Sequence, residues 1–588
     1  MAAWERPKTT RRYLHPPKAE RMFTLWSEGK LILGEIQVAD DGSGYGTLEC
    51  AGLWLLHGDE QFDFRKSVCT ITDDGAPVHG LTLCADDLRV ELEALCDVDR
   101  CPTCFIRLRL TGNTPLRLLV RTGLEHELVF GAPDVYKSYA PDVEVWKTAP
   151  KTWRADGNVL TDGRAFVTVH TELSTAWDNT LGALVITPGN QTSDVYLAFG
   201  LDGIRACDYD TEKARTQDFW TRELARLRLP EGIANDPERL RMTRHLTAQL
   251  LQCFCHPVGR EDMLARQGGL QRRIWPWESV SVIEALTRLG DFSDYIEPVL
   301  ALYFTRMWTP DGEVRPMGIG WACITASAIG SFGTYSLRAG RDFYLKYRDR
   351  AYKSFEWVRR KRAESAGIEG CTAGLFPPMR ACDWREEFQC WTMTDVYNLE
   401  GLRTYVKAAE AYGDPEAPAI RAEYEDYLGV LRDTFRKFSD AESSDALLLP
   451  LTPDGDDQAQ RDGFYLDIQH GPFVETGAVT ERDIERVRND VVRRGIYKNG
   501  LYGHMPYRDG NLHIWYTTFS EYYWFRTFLK LGQRARALEI LEALMRYSMT
   551  TEYYMLERYA DNDPYYVPWS PNASGNGRLL NMLLDYYA

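Results

Sequence analysis

Two glutamates of this sequence lie among aromatic side chains in a way that suits acid–base chemistry. Glu386 follows Trp384 in the stretch from residue 374 to 402, and Glu557 is flanked by aromatics in the stretch from 553 to 577. A carboxyl beside indole surface in a closed cleft has a raised pKa, which a general acid needs at neutral pH. We therefore predict that Glu386 is a general acid and that Glu557 is a general base holding a water molecule.

A third stretch, from residue 265 to 280, supplies groups that suit sugar binding. Its sequence is ARQGGLQRRIWPWESV, in which Arg272 and Arg273 are fixed cations and Glu278 comes just before a predicted helix. Glu278 would bind sugar hydroxyls while a tryptophan stacks on the apolar face of the ring. Two carboxyl groups in different environments within one funnel are what hydrolysis of a glycosidic bond requires. The predicted substrate-binding residues are Arg272, Trp275, Trp277, Glu278, Arg315, Trp321, Asp383, Trp384, Glu387, His504 and Trp569.

Each of these assignments has a purely structural alternative. Glu278 is favoured at a helix N-terminus by the helix dipole, whatever its function. Glu386 could belong to a solvated acidic turn, and Glu557 could form a salt bridge with Arg558 or Arg578. Most of the tryptophans would then simply pack helices together.

The elements that must position these stretches change character near Thr211. Residues 23–205 consist of short segments of alternating apolar and polar residues separated by turn residues, which predicts an antiparallel β-sandwich. After about residue 235, the chain contains eleven helix-length segments with 3.6-residue periodicity, and a further one is suggested near residues 464–471. About twelve antiparallel helices without intervening strands predict a closed ring of helical hairpins, the (α/α)6 toroid, or an open solenoid. No fixed-period repeat supports the solenoid.

The fold class predicted from this pattern is a multidomain β plus α protein. Its predicted parts are an N-terminal β-sandwich over residues 1–208, a helical linker over 209–233 and an (α/α)6 catalytic domain over 234–588. In a ring of hairpins, alternate loops meet at one end and form a single funnel, where we expect the chemistry. The helix after the second acidic stretch would be capped by Thr394 or Asp395. The polar segment from Ser439 to Gly463 is interpreted as an insertion or flap.

Composition excludes several classes of partner. The chain has 85 acidic and 69 basic side chains, a formal charge of −16, so we expect neither nucleic acid nor a membrane surface as a partner. No stretch has the pattern of a secretion signal or a membrane span, and we expect a cytoplasmic protein. The 13 cysteines are an odd number scattered through both halves, which favours reduced thiols.

One pair of cysteines has a spacing that metal or redox sites also use. Cys101 and Cys104 are separated by Pro102 and Thr103. A zinc site needs a second ligand pair and a thioredoxin-like site needs a βαβ context, and neither is visible in the sequence. We therefore interpret this stretch as a turn that enters a strand, and we expect no metal or organic cofactor.

The chain resembles the six-hairpin glycosidases, above all the glucoamylase-like glycoside hydrolases. GGLQRRIWPWES is similar to their Gly-Gly…Trp-Pro-Arg-Asp segment, which implies that Glu278 takes the substrate-binding acidic position, with Trp277 in place of the usual arginine. DWREEFQCWTMTDVYNLEGL is similar to their Trp-Glu-Glu…Thr segment, which implies that Glu386 is the general acid. LERYADNDPYYVPWSP is similar to their Ala-Glu-Gln…Trp-Ser segment, which implies that Glu557 is the base and that Trp569 belongs to the Trp-Ser pair. The LERY motif around Glu557 is also similar to the Glu-Lys-Tyr motif of trehalases, and the order of domains is similar to that of α-L-rhamnosidases.

The sequence therefore predicts an inverting glycoside hydrolase that is exo-acting and α-specific, with an oligosaccharide or small glycoside as substrate. Inversion requires the two carboxyl groups to lie about 6.5–9.5 Å apart, whereas about 5 Å would mean retention. Another six-hairpin glycosidase, such as an α-L-rhamnosidase, and an inverting disaccharide phosphorylase stay open as alternatives. A non-catalytic carbohydrate-binding protein and a sugar epimerase or lyase on the same architecture are two further alternatives.

Overall fold

The structure of the chain is a computed structural model. The structure describes residues 4–8, 11–38, 45–128, 142–146, 152–189, 191–268, 276–315, 321–379, 390–441, 444–449, 452–453, 477–495, 497–502, 515–561, 563–565 and 572–588.

Two antiparallel sheets form the N-terminal part of the described chain. Their strands are, in chain order, β1 (Arg11–Tyr13), β2 (Arg21–Trp26), β3 (Lys30–Val38), β4 (Tyr45–His57), β5 (Glu60–Gln61), β6 (Val68–Ile71), β7 (His79–Ala85), β8 (Leu88–Cys96), β9 (Cys104–Thr111), β10 (Leu116–Leu128), β11 (Asp142–Trp146), β12 (Arg154–Asp156), β13 (Val159–Thr161), β14 (Ala165–Thr171), β15 (Ser174–Asp178), β16 (Ala183–Thr187) and β17 (Ser193–Leu201). One sheet has the order β1-β2-β3-β4-β10-β16-β15, with β5 beside β4 and β11 beside β10. The other has the order β12-β13-β14-β17-β9-β8-β7-β6.

The alternation of residue types along the strands explains how the two sheets pack. In β8, Leu88, Val90 and Leu92 are buried while Arg89 is exposed, because successive side chains point to opposite faces of a sheet. Leu88, Val90 and Leu92 share one hydrophobic core with Leu25 of the other sheet. The predicted β-sandwich is thus confirmed.

Helices dominate the rest of the described chain. They are α1 (Tyr209–Leu224), α2 (Glu231–Ala234), α3 (Pro237–Leu251), α4 (Pro276–Leu289), α5 (Ser293–Tyr303), α6 (Ile324–Ala339), α7 (Arg341–Glu364), α8 (Thr392–Ala411), α9 (Ala417–Ala441), α10 (Glu481–Arg493), α11 (Thr518–Lys530), α12 (Arg534–Tyr547) and α13 (Ala573–Tyr587). Three short strand pairs accompany them, β18 (Phe254–Cys255) with β19 (Leu264–Ala265), β20 (Tyr497–Lys498) with β21 (Leu501–Tyr502), and β22 (Trp515–Thr517) with β23 (Arg558–Ala560). Each of the eleven predicted helical segments falls on one of the helices α3 to α13, and the suggested twelfth lies outside the described residues.

Helices α4, α13 and α11 lie side by side and run in the same direction. Ser281, near the start of α4, donates to the carbonyl of Ser574 near the start of α13, at 3.2 Å. Near the other ends, Asp585 of α13 lies 2.6 Å from Arg288 of α4 and 3.9 Å from Arg526 of α11. Because starts contact starts and ends contact ends, the N-termini of these helices face the same end of the domain.

Helices α6 and α8 continue this layer and touch through glycines. A Cβ on Gly401 of α8 would lie 2.1 Å from the Ala326 carbonyl oxygen of α6, and the glycine is therefore needed for this close approach. Gly333, further along α6, faces the Thr404 carbonyl, further along α8, so these two helices are also parallel.

The layer closes into the ring of helical hairpins that the sequence predicts. Helix α6 packs against α4, and Tyr523 of α11 donates to Glu400 of α8 at 2.9 Å. The intervening helices α3, α5, α7, α9 and α12 each pack against at least one of the five helices α4, α6, α8, α11 and α13. The predicted fold class, a β-sandwich followed by helical hairpins, is thus confirmed in the described part of the chain. Among the described helices, none combines the length and the apolar character that a membrane span requires.

The segment interpreted as an insertion starts inside a helix, because α9 continues to Ala441. Residues 444–449 and 452–453 are described beyond it, and the remainder of that segment to residue 463 lies outside the described residues. The segment predicted as a helical linker, residues 209–233, contains α1 and all but the last residue of the short helix α2.

The sandwich contacts the helical part beside the stretch that carries Glu557. The backbone N–H of Tyr13 donates to the hydroxyl of Tyr554 at 3.0 Å, and His79 Nε2 lies 3.2 Å from the same hydroxyl. Arg6 donates to the carbonyl of Met549 at 2.9 Å. The chain that leads to Glu557 is therefore held from the sandwich side as well as by the helices.

Candidate active site

The parallel helices bring their N-termini to one end of the ring, and the predicted site residues lie in or beside the stretches that enter these ends. These stretches are residues 269–275 before α4, 316–320 before α6, 380–389 before α8, 503–514 before β22 and α11, and 566–571 before α13. They lie outside the described residues, and with them Arg272, Trp275, Asp383, Trp384, Glu386, Glu387, His504 and Trp569. The described site residues are Trp277, Glu278, Arg315, Trp321 and Glu557.

Trp277 lies in an aromatic cluster to which several helices contribute. Its ring centroid is 5.8 Å from that of Trp321, 5.2 Å from that of Tyr397 on α8 and 5.2 Å from that of Phe519 on α11. Trp321 is buried, and Trp277 is partly buried against the main core. The structure thus brings the two predicted tryptophans together, and in these contacts they pack the helix starts against one another.

A cavity of about 200 Å³ lies on the C-terminal side of this cluster, inside the ring. Its lining includes Trp277 at one end and the charged side chains Glu284, Glu400, Arg403 and Arg526 beyond it. These four charged residues lie in the middle or in the C-terminal half of their helices. The cavity therefore extends from the helix starts, at Trp277, toward the opposite end of the ring.

Glu278 lies in the first turn of α4, where the helix dipole favours a carboxylate. The residue is only 6% exposed. One turn later, the Ser281 hydroxyl lies 3.0 Å from the Glu278 carbonyl oxygen and 3.2 Å from that of Ser574. Glu278 is therefore located where the starts of α4 and α13 meet.

Glu557 lies beside the same helix start. Asn572, the N-cap of α13, donates from Nδ2 to Oε2 of Glu557 at 3.3 Å. The backbone N–H of Asn572 donates to the Met555 carbonyl at 3.1 Å, which fixes the chain just before Glu557. Glu278 and Glu557 are thus brought to one helix start from distant parts of the sequence.

The alternative salt-bridge partners of Glu557 are Arg558 and Arg578, and the side chain of Arg558 lies outside the described residues. The guanidinium of Arg578 contacts its own helix, α13, and the start of α11. It donates to the Ser574 hydroxyl at 3.1 Å and lies 3.3 Å from the ring centroid of Phe519. Arg315 is an exposed residue whose Nε lies 2.7 Å from the Glu313 carboxylate, at the end of a described stretch.

The predicted cap of α8 is wrong. The helix starts at Thr392, so Thr394 and Asp395 lie within its first turn. Oδ1 of Asp395 accepts hydrogen bonds from the Phe376 backbone N–H at 2.8 Å and from the Tyr427 hydroxyl at 2.6 Å. Burial raises the pKa of Asp395 to about 7, although these hydrogen bonds and the nearby Arg362 favour the charged form.

The expectation of reduced thiols is wrong for one pair of cysteines. Cys371 and Cys390 form a disulfide, with their Cα atoms 5.6 Å apart. Cys390 comes just before α8, so the bond ties the start of this helix to the chain after α7. It also encloses the acidic stretch that carries Glu386.

The interpretation of the stretch from Cys101 to Cys104 as a turn that enters a strand is confirmed. A turn precedes β9, which starts at Cys104, and this residue lies directly opposite Cys96 of β8. Within the ranges that the structure describes, no group of three or more His, Cys, Asp or Glu side chains could hold a metal ion.

Three residues that contact the predicted site residues were not predicted from the sequence. Asn572 had a usable sign, because an asparagine just before the helical pattern is a typical N-cap. Tyr397 and Phe519 are apolar-face residues of ordinary helices, and nothing in their spacing shows that they meet Trp277.

Comparison with solved structures gave matches at low sequence identity. The rhamnosidase from Klebsiella oxytoca with rhamnose bound is 11% identical, with 98% of this chain and 96% of that chain covered and a TM-score of 0.44. A putative kojibiose phosphorylase from human microbiome is 9% identical, with 97% and 86% covered and a TM-score of 0.48. A glycosidase variant in complex with glucose is 14% identical, with 62% and 98% covered and a TM-score of 0.42. No protein-family model matches the sequence, and no curated protein matches it either.

Proposed function

We propose that this chain is an inverting, exo-acting and α-specific glycoside hydrolase whose substrate is an oligosaccharide or a small glycoside. The observation that supports this most is the position of Glu557, held by Asn572 at the helix end that the predicted substrate loops enter. An inverting hydrolase needs a carboxylate base, whereas a phosphorylase uses phosphate in place of water. The buried carboxylate of Glu278 at the same helix end suits a partner for sugar hydroxyls.

In the proposed reaction, Glu386 gives its proton to the glycosidic oxygen while the bond from this oxygen to the anomeric carbon breaks. A water oxygen bonds to the anomeric carbon from the opposite face, and the proton of this water passes to Glu557. Both glutamates return to their starting states by proton exchange with solvent. The domain boundaries and the binding roles of the predicted residues belong to this proposal, as does a separation of about 6.5–9.5 Å between the two carboxyls.

The proposal is tested by turnover of aryl α- and β-glycosides, with NMR of the first-formed anomer. We expect α-glycosides to be cleaved with release of the β-anomer, in a reaction that does not depend on phosphate. A retained anomer would contradict the roles of Glu386 and Glu557, and phosphate-dependent turnover with a sugar phosphate as product would favour the phosphorylase.

Substitution of the base gives a second test with a matched control. Glu557→Gln should lower kcat by about a thousandfold, because a positioned base contributes about 10²–10⁴-fold. Glu542→Gln, on an exposed position of α12, should leave kcat unchanged. Azide should restore turnover of Glu557→Ala and give the β-glycosyl azide, since a strong nucleophile needs no base. Full activity of Glu557→Gln would contradict the proposal.

A further inference from the structure

The side chain of Asn572 has its orientation fixed by the helix that it caps. Its Oδ1 accepts from the Gly575 backbone N–H at 2.6 Å and from the Ser574 hydroxyl at 3.0 Å. A backbone N–H is only a donor, so the atom that faces Gly575 must be the oxygen. The amide nitrogen must then face Glu557, and the direction of the hydrogen bond from Asn572 to the carboxylate follows from the cap.

A chain of donors extends behind this contact. The Ser574 hydroxyl oxygen accepts a hydrogen bond from Nε2 of Gln267 at 2.9 Å and another from a guanidinium N–H of Arg578 at 3.1 Å. Both of these groups are donors, so the Ser574 proton is directed toward Asn572. Gln267, Asn572, Ser574 and Arg578 are all buried, so bulk water does not compete with these hydrogen bonds.

We propose that Asn572 is a positioning residue for Glu557, and that the donor chain from Gln267 and Arg578 through Ser574 directs its amide proton onto the carboxylate. This inference rests on the proposed function, because it assigns a role around the proposed base. This hydrogen bond restrains one carboxylate oxygen, Oε2 of Glu557. The 3.3 Å separation is long for a hydrogen bond to a carboxylate, and we expect it to shorten when substrate is bound.

Two substitutions separate the cap from the donor. Asn572→Ser keeps an oxygen that caps helices about as well as asparagine but has no amide to donate to Glu557. Asn572→Asp also keeps the cap and places a second carboxylate against Glu557. A hydrogen bond to the charged form of a carboxyl lowers its pKa, and a neighbouring negative charge raises it. The acid limb of the pH profile of kcat/KM should therefore move to higher pH in the serine variant, and further in the aspartate variant.

The expected result also includes a loss of rate without a loss of fold. Asn572→Ser should lower kcat by about tenfold to a hundredfold, with KM changed much less and the thermal midpoint close to that of the wild type. Asp236→Ser is the matched control, because Asp236 caps α3 through the Arg239 backbone N–H at 2.9 Å, where no predicted site loop enters. It should leave kcat and the pH profile unchanged.

Titration of Glu557 itself keeps this inference separate from the proposed function. The carboxyl can be followed by NMR of the protein labelled with ¹³C at glutamate side chains, with its signal assigned by its absence in Glu557→Gln. We expect the pKa of Glu557 to rise in Asn572→Ser whether or not a substrate has been found. The ionisable side chains of Arg578, Glu278 and Glu521 on the neighbouring helices are the same in the variant and in the wild type. If the titration midpoint of Glu557 rises but the protein has no glycosidase activity, the proposed function is rejected and the role of Asn572 beside Glu557 is supported. An unchanged midpoint, or a serine variant with wild-type kcat and pH profile, would overturn the role of Asn572.

Discussion

Asp395 should make the stability of this protein fall as pH rises toward neutrality. Its carboxyl is buried between α8, α9 and the chain after α7, and burial raises its pKa from the ordinary value of 3.8 to about 7. Between these two values the folded state keeps a proton that the unfolded state has lost. Stability therefore decreases as pH rises through this window and is constant above it. In Asp395→Asn the side chain does not titrate, and its Oδ1 still accepts from Phe376 and Tyr427.

The size of the effect follows from the two pKa values. Linkage with 3.8 and about 7 gives a loss of about 2.5 kcal/mol in the free energy of unfolding between pH 5 and pH 8. The asparagine variant lacks this contribution, so its stability should fall by about 2.5 kcal/mol less than that of the wild type over the same range. Other titrating groups affect the wild type and the variant equally and cancel in the comparison.

Urea denaturation at pH 5 and pH 8, followed by tryptophan fluorescence, measures this difference. Asp414→Asn is the matched control, because Asp414 is a buried carboxylate whose pKa is lowered instead of raised. Burial would raise its pKa, but hydrogen bonds from Arg348 and Tyr344 outweigh burial and lower it to about 2. Asp414 is thus charged in both states throughout this pH range, and its variant should lose the same stability at pH 5 as at pH 8. Equal pH slopes for Asp395→Asn and the wild type would refute the argument from burial.

Two other predictions concern the ring and the acidic stretch. Gly401→Ala should destabilise the protein by about 1–3 kcal/mol in thermal or urea denaturation, because its Cβ would lie 2.1 Å from the Ala326 carbonyl oxygen. Gly429→Ala on α9 has open space around the added methyl and should stabilise by about 0.5–1 kcal/mol, so an equal effect of the two changes would contradict the close contact of α6 and α8. Peptide mapping without reduction should give a cross-linked peptide pair containing Cys371 and Cys390, and Cys371→Ser should cost about 3 kcal/mol of stability. Recovery of both cysteines as free thiols would contradict the bond.

Local patterns were enough to predict most of the elements. The 3.6-residue periodicity located each helix from α3 to α13, since each must bury one face, and glycine marked several helix ends. In α8, for example, Gly413 follows the last turn with a φ of 63°, a conformation that most other residues avoid. The same kind of pattern located the sandwich strands, because alternating residues such as those of β8 have one buried face. Caps were less predictable, since Asp395 has the residue type of a cap but accepts hydrogen bonds instead from Phe376, in the chain after α7, and from Tyr427 of α9.

Contacts between distant residues could not be predicted, because no local pattern encodes them. Glu278 and Glu557 each had a plausible local alternative, and only the folded chain brings them to the start of α13. This helix packs between α4 and α11. The Asn572 cap forms when α13 forms, so the same residue that begins the helix orients the carboxylate beside it. The orientation of the candidate base therefore depends on the packing of α13 against α4 and α11, and the same helix contributes both to the ring and to the site.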